Sequence, residues 1–350
     1  MIKEKILQFA IAKAKKSKLI QSIFEKPIDL KALTVKGTFT DSFGNKHTLY
    51  NGLRSKIKPN WESYFQTQTK KAEVTAALAQ SIVQNSQREV ERIEPLINVF
   101  AGGIENKTIA EIGCHAGGVT HSFAQKGAKR VIGTDYIEYK VSSSTANETT
   151  EMSQEVDEYL QTLRNEVARN FTKAQNVTFR NDDICNSGLP ESEFDLICSW
   201  DVLEHIHEPE LAFHNIFKIL KPGGISIHEY NPFFGLNGGH SPCTLDFPWA
   251  HIALNEKDFE RYCDEIQPDK KEKALSFYNH GMNRMTIKDL KTFVSNAGLE
   301  LVAFLPYTKE QHVGLVSAQT LALVQKHYPS ATIEDLISPR IVIVLKKASY

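Results

Sequence analysis

The sequence predicts an α/β protein: a doubly wound, largely parallel sheet with a helical N-terminal region and several insertions. Three observations carry this reading. Short apolar strands alternate with helical stretches from residue 108 to residue 230, the rhythm of right-handed β-α-β crossovers. The first of these strands, Thr108–Ile112, runs straight into a glycine-rich turn, Gly113-Cys114-His115-Ala116-Gly117-Gly118. The second ends on an acid, Asp135, and ligands of open α/β sheets sit outside the carboxyl ends of the strands.

The elements follow in chain order. Residues 1–18 hold six lysines, with Ile2, Ile6, Phe9 and Ala10 at helical spacing. This suits a solvated helix packed on its own protein, or a basic amphipathic helix in peripheral contact with an anionic membrane. A signal peptide needs a longer apolar core and a small-residue cleavage site. Leu33–Phe39 and His47–Tyr50 read as two short strands around the turn cluster Asp41-Ser42-Phe43-Gly44-Asn45. Trp61 to about Phe100 reads as one helix, with Val74, Leu78, Ile82 and Val83 apolar, and Gly102-Gly103 ends it. Trp61, Tyr64 and Phe65 at its start suit core packing or a lid.

After Thr108–Ile112, Val119–Gln125 reads as helix, and Arg130–Thr134, Val177–Phe179 and Phe194–Trp200 read as strands. A helix from Pro209 to Leu220 is broken by Pro222-Gly223-Gly224 before the strand Ile225–Tyr230. Residues 137–175 are a polar, acidic helical stretch, and residues 232–282 gather aromatic, Gly, Pro and His residues. Residues 308–337 read as helical and Arg340–Leu345 as a strand. The chain thus divides into an N-terminal region, 1–103, and a domain, 104–350, with insertions at about 137–175, 232–282 and 308–337. The first region suits a lid, an acceptor wall or an oligomer contact, and the helices at 62–100 and 137–175 offer a homodimer interface.

Composition narrows the function. Lys+Arg 41 against Asp+Glu 42 disfavours a generally basic nucleic-acid binder. Apolar runs stay below 18 residues, so no spanning helix is expected. Five widely spaced cysteines without a C-x-x-C pair argue against a disulfide framework or structural zinc, and fit reduced thiols in a cytoplasm.

The chemistry concentrates at the strand ends. A glycine turn between strand and helix lets backbone N–H groups approach a ligand closely. Here it reads Glu-x-Gly-x-His-x-Gly, with Glu111 two residues before Gly113, rather than G-x-G-x-x-G. Asp135 can accept both hydroxyls of a ribose, a feature shared by NAD and adenosylmethionine enzymes. After the third strand comes Asn181-Asp182-Asp183-Ile184, where a carboxylate can accept from an adenine amine or simply cap a turn.

The segments EIGCHAGG, GTDY, NDDI, FDLICSWDVLEHI and LKPGG, in that order, closely resemble class I S-adenosylmethionine-dependent methyltransferases of types 11 and 12 over roughly residues 105–305. The resemblance implies a Rossmann-like seven-stranded sheet whose last strand, Arg340–Leu345, is antiparallel and follows the helix around Thr286–Asn296 and the strand Leu299–Leu305. It implies S-adenosyl-L-methionine as cofactor. Glu111, Gly113, Cys114, His115 and Gly117 would line its methionine and ribose moieties, with Asp135 at the ribose and Tyr136 beside it. Asp183 and Ile184 would border adenine, with Asp182 the secondary acid, and Ser199 and Trp200 would lie near the sulfonium. His115 stands where the middle glycine is commoner.

The resemblance leaves the acceptor open and implies that N-terminal additions and late insertions build its pocket. His240 and His251, among aromatic residues, are candidate general bases, with His205 and Asp201 as further catalytic candidates. Each also reads as a hydrogen-bonded structural histidine or a helix cap. No tight ligand spacing supports a metal among His228, His240, His251 and Asp246, and none is expected. The expected reaction is methyl transfer to a hydroxyl of a small molecule or glycan. S- or N-transfer without a strong base, and a lapsed cofactor-binding scaffold, remain alternatives. The near-neutral charge and the missing Asn-Pro-Pro-Phe/Tyr tetrapeptide count against nucleic acid or protein as acceptor.

Overall fold

Nine strands are present in the computed structural model, which describes residues 28–66, 73–138 and 150–349. The lysine-rich residues 1–18 and Lys70-Lys71 lie outside the described residues. Strands β1 (Val35–Thr40) and β2 (Lys46–Tyr50) form an antiparallel hairpin. The other seven are β3 (Thr108–Ile112), β4 (Arg130–Asp135), β5 (Val177–Asn181), β6 (Phe194–Trp200), β7 (Leu220–Tyr230), β8 (Leu299–Tyr307) and β9 (Arg340–Lys347). They form one sheet in the order β5-β4-β3-β6-β7-β9-β8. Strand β9 runs antiparallel to both of its neighbours, and the remaining pairs are parallel. This is the Rossmann-like arrangement that the resemblance implies.

The central strands are apolar because they are covered twice. All five residues of β3 are buried, as expected for a parallel strand with helices on both faces. On one face the helix Ala76–Ala101 sets Val90, Ile93 and Ile97 against Ile109, Phe123 and Val131. On the other, the helices Pro209–Ile219 and Ile287–Asn296 set Phe213, Ile216 and Leu290 against Ile197 and Ile343. A reciprocal Thr286–Asp289 capping box starts the second of these. The strand order turns back between β3 and β6, which opens a crevice at their carboxyl ends.

Two expectations are corrected. The helix read from Trp61 to Phe100 is a short turn, Ser63–Gln66, and a separate helix that begins at Ala76. The break has a local cause: Thr75 takes extended backbone and its side chain accepts from the Leu78 N–H, a strong N-cap inside the apolar periodicity. The division at residue 103 also fails, because Ala76–Ala101 shares its core with the sheet.

The N-terminal hairpin belongs elsewhere. Phe39, Leu49 and Leu53 share a second core with Phe233, Phe247, Trp249 and Tyr262 of the 232–282 insertion and with Val324 and Leu336. Three distant stretches of chain thus make one cap. Asp246 pins them together. Its carboxylate accepts from Arg54 Nε at 2.7 Å, Tyr262 OH at 2.9 Å and Lys36 Nζ at 3.0 Å, while its carbonyl accepts from Tyr50 N at 2.8 Å. The 137–175 insertion is also engaged within the chain. Its helix, Thr150–Ala168, packs Leu163 and Val167 with Ala79 and Val83. Among the described residues no helix is long and apolar enough to cross a membrane.

Because Arg54 is buried, removing its partner leaves an uncompensated charge. Asp246→Ala is expected to destabilise the protein by about 3–5 kcal/mol. Denaturant unfolding measures this, and an unchanged midpoint would show that the pair does not hold the cap.

Candidate active site

The crevice is built on a turn with two positions, Gly113 and Gly117, that exclude a side chain. Gly113 takes a φ of +73°, and a Cβ there would lie 2.3 Å from a Val202 methyl carbon. Gly117 also has φ +73°, and its Cβ would lie 2.3 Å from the Phe179 ring. The Gly113 and Cys114 N–H groups both donate to the Thr134 carbonyl, at 2.7 and 2.9 Å, tying the turn to β4. His115 shares the left-handed backbone at φ +46°, the conformation that explains why glycine is favoured at this middle position.

Beside this turn lies a cavity of about 680 Å³, within the size range of small-molecule and cofactor sites. Gly113 and His115 line it from the turn, and Asp135 and Tyr136 from the end of β4. Asp182, Asp183 and Ile184 line it after β5, and Trp200 and Asp201 at the end of β6. His205 closes one side. The sequence reasoning missed the apolar lining by Ile112, Val202 and Ile206 and the rim residues Cys185, His207 and Glu208.

Four expected cofactor residues stand outside the lining. Cys114 and Gly117 shape the turn. Ser199 is buried and hydrogen-bonded to His228 Nδ1 at 2.7 Å. Glu111 is buried and accepts a short hydrogen bond from Thr120. Burial raises its carboxyl to about 8, with the Asp135 charge adding to the rise and the Thr120 bond opposing it.

Asp135 is held by a residue that no motif in the sequence singles out. Arg164, on the insertion helix, donates to Asp135 Oδ2 at 2.5 Å and through Nε to the His115 carbonyl at 2.7 Å. Its guanidinium lies 4.6 Å from the centre of the Phe179 ring. One arginine therefore fixes the β4 acid, the glycine turn and the aromatic ring behind it. After β5 the two acids differ. Asp182 accepts from Gly188 N and Ser187 Oγ, each at 2.8 Å, and so braces a loop. Asp183 caps the short turn Ile184–Asn186 through Cys185 N at 2.9 Å.

The far wall carries the catalytic candidates. Asp201 has φ +53°, and its Oδ1 accepts from Asn231 Nδ2 at 2.6 Å. The buried Glu204 accepts the Asn231 N–H at 3.1 Å through Oε1, and burial, then the Asp201 charge, raise its carboxyl to about 8. His205 Nδ1 donates to the Gly281 carbonyl at 2.6 Å. Burial lowers its pKa, opposed by that carbonyl and by Asp201. His240 sits behind it, ring centres 5.4 Å apart, outside the lining, and burial holds its pKa well below the usual range. Lys58 approaches from the N-terminal region; burial lowers its pKa, opposed mainly by Asp201.

His251 is a correction. It is buried in the cap, hydrogen-bonded through Nε2 to the Phe233 carbonyl at 2.8 Å, and held at about 4 by burial. It does not line the cavity. Trp61, Tyr64 and Phe65 do not line it either. Tyr64 packs edge-on to Phe277, and Arg54 lies over Trp61. The four-residue group His228, His240, His251 and Asp246 does not assemble: His228 binds Ser199, His251 binds Phe233 and Asp246 binds Arg54.

An acid at the β4 end, apolar side chains around a cavity at the switch point, and a glycine turn on β3 define a protein that takes a nucleoside-bearing cofactor. A family model described as a methyltransferase domain matches residues 85–303, and the chain belongs to that family. It is 26% identical over 194 residues to the mitochondrial ubiquinone biosynthesis O-methyltransferase of Dictyostelium discoideum, covering 55% of this chain and 54% of that protein. It is 22% identical over 218 residues to the sterol 24-C-methyltransferase of Eremothecium gossypii, covering 57% and 53%. The chain thus spans about half the length of the curated relatives it matches. Among solved structures, a SAM-dependent methyltransferase from Methanosarcina mazei is 18% identical, with a TM-score of 0.41, covering 73% of this chain and 98% of that one. S-adenosyl-L-methionine is the family's cofactor, and the cavity fits it. Asp135 can accept from the ribose, Ile184 and Ile112 offer apolar surface to the base, and Trp200 keeps a buried Nε1 donor without a protein partner.

Two outcomes are expected. Asp135→Ala abolishes S-adenosylmethionine binding in calorimetry, and Arg164→Ala weakens it about tenfold or more, since a hydrogen bond to a charged group contributes about 1.5–3 kcal/mol. Unchanged binding in both variants would refute the cofactor placement. Glu111 reports through pH. The folded chain keeps its proton up to about pH 8, whereas an ordinary glutamate releases it near 4.5, so stability falls as pH rises through that window. Glu111→Gln removes this contribution. Its melting temperature relative to the parent is expected to climb between pH 6 and 8; a constant difference would contradict the buried neutral carboxyl.

Proposed function

We propose that the chain transfers a methyl group from S-adenosyl-L-methionine to an oxygen of a small-molecule or glycan acceptor. The observation that carries this reading is the meeting of two walls in one cavity: Asp135 on one side, Asp201 and His205 on the other. The cofactor, when bound, supplies an electrophilic methyl group on a sulfonium, open to in-line displacement. The chain supplies placement and dryness. Asp135 orients the ribose, Asp183 and Ile184 border the base, and Val202 and Ile206 exclude water. The acceptor lies against the Asp201–His205 wall. Its oxygen forms the new bond to carbon, the electron pair of the broken bond stays on sulfur, and the hydroxyl proton leaves toward that wall. The half-buried His205 imidazole, its pKa lowered by burial, can receive such a proton.

Small acceptors are supported by the relatives, one named for ubiquinone biosynthesis and the other for a sterol. The test is a screen of phenols, aliphatic alcohols, thiols and amines with labelled methyl donor. Transfer to hydroxyl acceptors is expected, with Asp201→Asn combined with His205→Ala lowering kcat about 10²–10⁴-fold while the donor still binds. Transfer to thiols or amines alone, or full turnover in the double variant, would overturn the reading.

A further inference from the structure

We propose that Glu204, His205 and His240 form a binding site for one divalent transition-metal ion behind the acceptor wall. One ligand atom from each lies within 4.8 Å of the other two. Three such atoms share a point within about 2.8 Å of each, and side-chain shifts under about 1 Å reach the 2.0–2.2 Å of a bonded zinc ion.

The polar groups there lack what an ion would provide. Glu204 Oε2 and His240 Nε2 are both buried and have no hydrogen-bond partner. Leaving a buried polar group without a partner is costly, so two beside one another call for a shared one. The supporting contacts are those of a ligand set. His205 Nδ1 is anchored on the Gly281 carbonyl, the bond that fixes tautomer and ring direction in metal-binding histidines. Glu204 Oε1 is held by Asn231 N, which directs Oε2 away from it. Two imidazoles and a carboxylate suit zinc, iron(II) or cobalt(II), and not calcium or magnesium, which prefer all-oxygen shells. Asp201 adds a negative charge beside the site, and Lys58 is the cation that would compete for it.

His240 comes from the 232–282 insertion, whereas Glu204 and His205 follow β6. The site would therefore tie the cap to the methyltransferase sheet. It rests on the preceding reading in one respect: His205 also lines the cavity, so an ion held on it would lie beside the acceptor. There it polarises the acceptor oxygen, and the hydroxyl proton passes to Asp201 instead of His205.

The test uses the full chain, stripped with a chelator and titrated with Co²⁺. One equivalent per chain, visible d–d absorption, and displacement by Zn²⁺ are expected. His240→Ala and Glu204→Gln should each weaken Co²⁺ binding by at least about 10–100-fold while S-adenosylmethionine binding and the melting transition persist. Should either variant fail to fold, Cu²⁺ on the unaltered chain provides the readout: electron paramagnetic resonance should show two coordinated imidazole nitrogens. Absence of stoichiometric binding, or binding unchanged in both variants, would overturn the proposal. So would binding gained only in Lys58→Met, since the lysine then fills the site. Metal binding without methyl transfer would sink the functional reading and leave this site standing; full transfer by a chain that binds no cation would do the reverse.

Discussion

The cavity exists because the chain leaves β3 through two glycines whose places no side chain can take. A Cβ on Gly113 would strike Val202 from the β6 end, and one on Gly117 would strike Phe179 from β5. The two glycines thus let three strand ends close on one another around the cavity. Phe179 in turn carries the Arg164 guanidinium, and Arg164 holds Asp135. A backbone constraint becomes, in two contacts, the placement of a carboxylate.

The Asp201–Glu204 wall of the cavity rests on a different joint. Asn231, the first residue after β7, donates to both Asp201 and Glu204. Beyond it the chain enters the cap core through Phe233 and Phe234. One asparagine thus relates the acids of the sheet to the aromatic cap. Of the seven non-glycine residues with left-handed backbone among the described residues, three lie at or directly behind the cavity: His115, Asp201 and His240. Such strain persists only where neighbouring structure over-determines it, as it does here.

Much of this was legible in the sequence, for a physical reason. Strands buried on both faces have to be apolar throughout, so β3, β4 and β6 announced themselves within a residue of their bounds. Acids at strand ends are legible because the fold places ligands there. What escaped depends on contacts between distant segments. Arg164 reads as one more charge on a polar helix until Asp135 is seen beneath it. His251 and His240 look alike in a histidine-rich stretch, yet one meets a backbone carbonyl and the other a glutamate and a histidine. Periodicity carried a helix across Thr75, because an N-cap lies in the hydrogen bond rather than in the apolar pattern.

The cap core also sets a timetable for synthesis. Residues lining the cavity all precede residue 209, so a growing chain presents the cofactor side early. The cap draws on residues 28–57, then 233–282, and then 324–336. Strand β9, the latest in the sequence, slots between β7 and β8. The hairpin therefore emerges from the ribosome first among its partners and waits longest, with Phe39 and Leu49 unburied until hundreds of residues have followed. Long-range closure of this kind folds slowly, and the cap is the last part of the chain to close over the strand ends.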